Sequence, residues 1–184
     1  MAHLWHDISV GKEAPEIVNG IIEIPLGSKA KYEINKSTGT VMLDRIMHGA
    51  LHYPANYGFL PQTLAEDGDP LDILVISQIS LYPGVLVEAR IVGVMEMTDK
   101  GELDHKLIAV AKDDPHYWGV KNLKDLPETL LSEIKMFFQV YKTLELKPGQ
   151  SVSVDNFLDA DHAFAMVKDC IKRYEEKFDK KKKD

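Results

Sequence analysis

The pattern of apolar and polar positions divides the chain into a series of short strands followed by two helices. The first 20 residues read as an arm and a loop, punctuated by Pro15 and Asn19-Gly20, and Ile21-Ile22-Glu23-Ile24 then predicts a short strand. Lys31-Tyr32-Glu33-Ile34 alternates, with Lys31 and Glu33 on one face. Turn residues Asn35 to Gly39 lead into a return strand from Thr40 to Arg45, so a hairpin carries Lys31, Glu33 and Arg45. The aromatic stretch Tyr53-Pro54-Ala55-Asn56-Tyr57-Gly58-Phe59 feeds another strand. Leu71 to Ile76 predicts a buried one, Val85 to Met97 a long one, and Leu107 to Ala111 its partner across an acidic turn.

Helical spacing takes over after Lys124. Asp125-Leu126-Pro127-Glu128 has the form of a helix start, with Asp125 as the cap and Glu128 in the reciprocal position. Leu130, Leu131, Ile134, Phe137, Phe138 and Tyr141 form the apolar stripe of this helix, and Lys147-Pro148-Gly149 ends it. Val152 to Val154 returns as a strand. Asp159 caps a last helix whose stripe is Ala163, Phe164, Val167, Cys170, Ile171, Tyr174 and Phe178. About six to eight strands with two helices predict an α+β domain, a closed antiparallel barrel with the helices set against it. No linker or repeat divides the chain, so residues 1–184 read as a single domain, with an arm over 1–15 and a frayed basic tail over 179–184.

Composition narrows the class without changing the elements. With 45% hydrophobic and 28% charged residues the chain is of globular type, and no run approaches the roughly 20 apolar residues of a membrane span. The amino terminus lacks the basic region and apolar core of a signal peptide, so the expectation is a cytoplasmic protein with no membrane partner. One cysteine, Cys170, agrees with a reducing compartment. A formal charge of −7 opposes binding to a nucleic-acid backbone, which needs a basic surface. A small phosphorylated ligand stays open, because metal ions supply positive charge that the chain lacks.

The densest chemistry is in Asp67-Gly68-Asp69-Pro70-Leu71-Asp72-Ile73, where three carboxylates abut a strand that is otherwise apolar. Carboxylates this close either share protons or recruit cations. Pro70 biases Asp69 towards an extended conformation, Gly68 permits a tight turn, and Asp72 falls at the start of a rigid element, an arrangement of oxygen donors suited to a hard cation. A second acidic group, Asp99 and Asp104, flanks the turn between two strands. Taken with Lys31, Arg45, Tyr53, Tyr57 and Lys142, this inventory suits phosphoryl transfer. No serine or cysteine nucleophile with a partnered base stands out, nor a glycine-rich phosphate loop, so attack by water is favoured. Two non-catalytic readings compete. A calcium-binding module fails on spacing, since Leu71, Asp72 and Gln78 stand where an EF-hand needs an oxygen ligand, a glycine and a glutamate. An oligonucleotide-binding barrel is opposed by the charge.

The seven-residue stretch resembles the signature of the soluble inorganic pyrophosphatases of family I, in their short prokaryotic-type form. The pattern D-[SGDN]-D-[PE]-hydrophobic-D-hydrophobic is matched at every position. The likeness extends over roughly residues 15 to 145, through Lys31-Tyr32-Glu33, Asp44-Arg45, Tyr53 to Gly58, Thr98-Asp99 to Lys106, and Phe137-Phe138 to Tyr141-Lys142. It implies Mg²⁺-dependent hydrolysis of diphosphate to two phosphates on a closed five-stranded OB-type barrel with flanking strands and two main helices, in a homo-oligomer that is usually a hexamer. By the same resemblance Asp67, Asp72, Asp99 and Asp104 are expected to hold the metals and Asp69 to be the general base. Lys31, Arg45, Tyr57, Tyr141 and Lys142 would bind phosphate oxygens, and Glu23, Glu33, Tyr53 and Lys106 would complete the inner shell. The sequence departs from the family pattern at Lys100, where many relatives carry a second acidic residue after the aspartate.

Overall fold

The computed structural model describes residues 2–179, so the Lys180-Lys183 tail lies outside the described residues. The order is β1 (Ile17–Ile24), β2 (Ala30–Ile34), β3 (Val41–Ile46), β4 (Asn56–Phe59), β5 (Asp72–Ile76), β6 (Leu86–Asp99), β7 (Glu102–Leu103), β8 (Lys106–Ala111), α1 (Glu128–Val140), β9 (Val152–Leu158) and α2 (Ala160–Tyr174). Strands β1, β4, β5, β8 and β6 pair in that order, and β6 pairs back to β1, which closes a five-stranded ring of OB type. Strand β9 adds to β6 outside the ring, β7 turns back on the end of β6, and β2 with β3 makes a separate hairpin.

The expected wholly antiparallel barrel is corrected by one pairing, since β5 and β8 run parallel. The reason is parity. Strand direction cannot alternate all the way round a closed ring with an odd number of members, so one neighbouring pair must share a direction. Here that pair is also the most deeply covered. Alternation along β5 and β8 sends Ile73, Val75, Leu107 and Ala109 into one core with Ala163, Val167 and Cys170 of α2. Their neighbours Leu74, Ile76, Ile108 and Val110 enter another with Ile134, Phe137 and Phe138 of α1. With both faces covered, the strands are apolar without interruption beyond their first residues, as parallel strands generally are.

Three local expectations are overturned. Asn19-Gly20 is not a turn but lies inside β1, opposite Glu88 and Val87 of β6, because cross-strand pairing outweighs turn propensity. Asp125 does not cap α1. It closes a short 3₁₀ turn instead, its Oδ2 accepting from the backbone N–H of Lys121 at 3.0 Å and of Asn122 at 2.9 Å, and Pro127 stands at the cap position. Helix α1 ends at Val140, well before Lys147-Pro148-Gly149, with turns between. By contrast Asp159 does cap α2, accepting from His162 N at 3.2 Å. The amino-terminal arm is packed rather than loose, with Trp5 buried among Ile21, Phe59, Leu64 and Tyr174.

The closure of β1 on β4 depends on Gly58. A Cβ added there would stand 1.9 Å from the carbonyl oxygen of Ile21 and 2.9 Å from Cα of Ile22, which are backbone atoms that cannot step aside. Gly58→Ala is therefore expected to lower unfolding free energy by about 3 kcal/mol, at the upper end of overpacking penalties, as read by denaturant titration. A loss below about 0.5 kcal/mol, the level of a neutral surface change, would contradict the rigidity of this contact.

Candidate active site

The parallel register sets Asp72, the first residue of β5, directly beside Lys106, the first of β8. Lys106 is only 2% exposed, donates to Asp72 Oδ2 at 2.5 Å, and is also ion-paired with Asp104. From β4 the Tyr57 hydroxyl donates to the same Asp72 oxygen at 2.6 Å. Burial alone would depress the lysine pKa, but Asp72 and Asp104 outweigh it and hold the ammonium above its ordinary value. Burial pushes the Asp72 carboxyl up despite that ammonium, since Asp104 competes for the same cation. The Tyr57 phenol is raised well above 10 by its own burial and then by Asp72, so it stays a proton donor.

Asp67 and Asp69 arrive on the loop between β4 and β5. Asp67 Oδ1 accepts from the backbone N–H of Asp69 at 2.9 Å, and Ala65 N donates to the Asp69 carbonyl at 2.7 Å, so the tip is a closed turn with Gly68 at φ 89°. Burial raises the Asp67 pKa, opposed by that N–H. The Asp69 side chain is about half exposed and is ion-paired with Lys36, from the turn of the β2–β3 hairpin.

The opposite wall comes from the β6–β7 turn and the end of α1. Lys100 at φ 52° and Gly101 at φ 91° make the tight reversal that β-hairpins favour, which brings Asp99 and Asp104 to the same mouth. Lys142 is ion-paired with Asp99, whose Oδ1 is buried without a hydrogen-bond partner. Tyr141, buried at the end of α1, and Tyr53 have phenols held well above 10 first by burial. On the β2–β3 hairpin Lys31 pairs with Glu33 and, at 3.3 Å, with Asp44, and burial lowers the lysine pKa in spite of Asp44. Glu23, expected from the resemblance in the inner shell, is buried and accepts from Ile34 N at 2.5 Å. Burial, then Asp72, pushes its pKa up to about 8.

These groups surround one cleft of about 310 Å³, lined by Glu23, Lys31, Glu33, Tyr53, Tyr57, Asp67, Asp69, Asp72, Asp99, Asp104, Lys106, Tyr141 and Lys142. Every residue named from the sequence is in that wall except Arg45. Its guanidinium is paired with Asp44 at 2.5 Å and with Glu145 at 2.7 Å. Lys36, Glu102 and Phe138 also line the cleft and were not singled out from the sequence. Lys36 sits in a run of turn residues that carries no periodic signal, and Phe138 reads as ordinary helix packing. Glu102 had a faint signal, being an acidic residue three positions past Asp99 in the same turn.

All the acidic donors are carboxylate oxygens, a set that suits Mg²⁺ or another hard divalent ion, and Asp99, with its unsatisfied Oδ1, lines the same cleft. Among the described residues no three acidic, histidine or cysteine side chains are gathered closely enough to hold an ion as they stand. The reason is local, since Lys106, Lys142 and Lys36 each sit on the carboxylates as counter-cations. The donor chemistry fits a hard cation, and the lysines neutralise part of the same charge.

An OB-type ring whose mouth gathers carboxylates beside ammonium and phenol donors defines a class of site, one equipped for a small polyanion and its counter-cations. Comparison narrows the class. The family model described as inorganic pyrophosphatase matches residues 20–175, and the chain belongs to that family and is one of its enzymes. It is 49% identical over 177 residues to soluble inorganic pyrophosphatase 2 of Chlamydomonas reinhardtii, covering 96% of this chain and 91% of that one. Soluble inorganic pyrophosphatase 1 of Arabidopsis thaliana is 46% identical over 175 residues, covering 95% and 81%. Among solved structures, the inorganic pyrophosphatase from Thermus thermophilus superposes with a TM-score of 0.91 at 45% identity, covering 95% of this chain and 99% of that one. That of Helicobacter pylori gives 0.85 at 42% identity, with 91% and 98% covered.

Glu23 supplies a pH test. Between its ordinary value of 4.5 and its folded value of about 8 the unfolded chain has released a proton that the folded chain keeps, so folding loses stability as pH rises through that interval. Glu23→Gln keeps an oxygen for Ile34 N and has no proton to lose. Its melting temperature in chelator is expected to overtake that of the wild type as pH rises from 4.5 to 8. A constant difference across that range would contradict a buried, protonated Glu23.

Proposed function

We propose that this enzyme hydrolyses inorganic diphosphate to two phosphates in a Mg²⁺-dependent reaction, by direct attack of water and with Asp69 as general base. The observation that carries the reading is the convergence, in one cleft, of five aspartates with ammonium and phenol donors drawn from separate parts of the chain. Asp67, Asp72, Asp99 and Asp104 would hold the metal, which when bound neutralises the diphosphate and acidifies a water beside it.

The remaining chemistry belongs to the chain. Asp69 takes the proton of the attacking water, and its position on an accessible loop beside Lys36 suits a base that must reach solvent and substrate. As the new bond forms between water oxygen and phosphorus, the bridging P–O bond breaks and its electron pair leaves with the second phosphate. Lys31, Tyr57, Tyr141 and Lys142 donate to the phosphate oxygens, and the raised phenol pKa values keep both tyrosines protonated for that task. Arg45 joins them by exchanging its pairing with Asp44 or Glu145 for a phosphate, a trade between like charges. Glu23, Glu33, Tyr53 and Lys106 orient these groups.

A cytoplasmic location belongs to the same reading, supported by one buried cysteine and, among the described residues, by no helix long and apolar enough to cross a membrane. So does assembly into a homohexamer. Exposed Met136, Val140 and Leu144 along and just past α1, and Ile79, Tyr82 and Leu86 around the start of β6, are the kind of apolar surface that subunit contacts cover.

Purified protein with Mg²⁺ is expected to release phosphate rapidly from diphosphate, slowly or not at all from triphosphate and ATP, and not at all in chelator. Asp69→Asn is expected to keep the fold and lose about 10² to 10⁴ in kcat, the share usually carried by a general base. Reversible divalent-ion binding with diphosphate left intact would replace the enzyme reading by a binding module, and full activity in Asp69→Asn would remove that residue from its role.

A further inference from the structure

The loop that carries Asp67 and Asp69 is held by residues that do not themselves line the cleft. Three consecutive backbone positions at its base are tied to distant parts of the chain. Gln62 N donates to the Trp5 carbonyl at 2.9 Å, Trp5 Nε1 donates to the Thr63 carbonyl at 2.9 Å, and Leu64 N donates to the Cys170 carbonyl of α2 at 2.9 Å. The base is closed by Leu71 N donating to Thr63 Oγ1 at 2.9 Å. Beyond it the tip is bonded to itself, through Ala65 N to the Asp69 carbonyl and Asp69 N to Asp67. A tip built this way shifts as one piece, and its position is set by whatever grips residues 62–66.

Arg173, near the end of α2, touches both the base and the tip. Its Nε donates to the Leu64 carbonyl at 3.0 Å, one Nη pairs with Glu66 at 3.3 Å, and the other donates to Cys170 Sγ at 3.2 Å. A half-exposed ion pair with Glu66 would by itself contribute little. The Nε bond to the Leu64 carbonyl adds a second hold on the loop, and the bond to Cys170 Sγ on the same helix fixes the plane of the guanidinium, a geometry that a lysine cannot reproduce. Arg173 borders a second cavity of about 340 Å³ that adjoins the cleft, sharing Asp67, Asp72 and Asp104 with it and lined also by Glu66, His105, Met166 and Cys170, so small solutes reach the guanidinium.

We propose that Arg173 is a positioning residue for the reaction, holding the loop that delivers Asp67 and Asp69. This rests on the diphosphatase reading. It acts through the loop and does not line the cleft. The groups proposed to bind substrate, Lys31, Tyr57, Tyr141 and Lys142, stand on other elements, so loss of the grip is expected to lower kcat and leave KM for diphosphate nearly unchanged.

The test compares wild type, Arg173→Ala, Arg173→Lys and Val167→Ala by steady-state phosphate release with saturating Mg²⁺, well below each melting temperature. Val167 is buried on α2 in the core that also holds Leu60 and Leu71 at the two ends of the loop, but it has no polar group to grip the loop, so its truncation controls for lost packing and stability. Arg173→Ala is expected to lose about tenfold or more in kcat, as misplaced reacting groups do, with Val167→Ala within about twofold of wild type. Millimolar guanidinium ion is expected to restore part of the Arg173→Ala rate, which sodium at the same ionic strength does not. If Arg173→Ala does not fold, Arg173→Lys decides, with a several-fold lower kcat expected at unchanged KM. Wild-type kcat in either folded arginine variant, or loss of rate with no guanidinium rescue, overturns the positioning role and leaves the function standing. A wild-type protein that releases no phosphate overturns the function instead.

Discussion

One buried ammonium organises this site. Lys106 is almost wholly removed from water, a costly place for a charge, and it is tolerated because Asp72 and Asp104 meet it there. The pairing with Asp72 follows from the parallel register of β5 and β8; an odd-membered ring requires one parallel pair, and here β5 and β8 are that pair. Two parallel strands begin at the same end. The first residues of both therefore open onto the same mouth, and the acid and the base are adjacent by construction. Two carboxylates on one lysine still leave negative charge over, and that surplus gives the cleft its appetite for cations.

Around this fixed pair the other groups divide by how they are supported. Asp72, Lys106 and Tyr57 stand on paired strands with both faces covered, so their positions are as rigid as the core. Asp67 and Asp69 stand on a loop, and a loop is only as exact as what holds it. That task falls to Trp5 in front of β1 and to Cys170 and Arg173 on α2, elements far apart in sequence that flank the same few residues. Lys31, Glu33 and Lys36 come from a third support, the separate β2–β3 hairpin. The second helix thus serves both as one wall of the core and as a support for the site.

The places where sequence and structure part company have a common cause. Asn19-Gly20 and Asp125 carry local signals for a turn and a cap, and both were overruled by partners supplied from elsewhere, Glu88 and Val87 in one case and a preceding 3₁₀ turn in the other. Lys36 offered no local signal, yet it meets Asp69 across 33 residues of sequence. Arg45 was named with the site and is found beside it, engaged with Asp44 and with Glu145, a residue that nothing in the linear pattern connects to it. Glu23 is the converse, a lone carboxylate among isoleucines whose burial beside Asp72 pushes its pKa up to about 8.

By itself the sequence determined the kinds of element, the two helical stripes, the α+β class and the two acidic groups, because alternation, helical spacing and a dense acidic motif are properties of neighbours along the chain, while the fuller set of cleft residues came from the family resemblance. It could also exclude a basic nucleic-acid surface, since charge is a sum over residues. Tertiary structure decided the parallel pair, the single lysine shared by two aspartates, the burial of Glu23 and the grip of Arg173 on the aspartate loop. Each of these depends on groups separated by tens of residues being brought within a few ångströms. Desolvation and hydrogen-bond geometry exist only at that range, and no spacing along the chain encodes them.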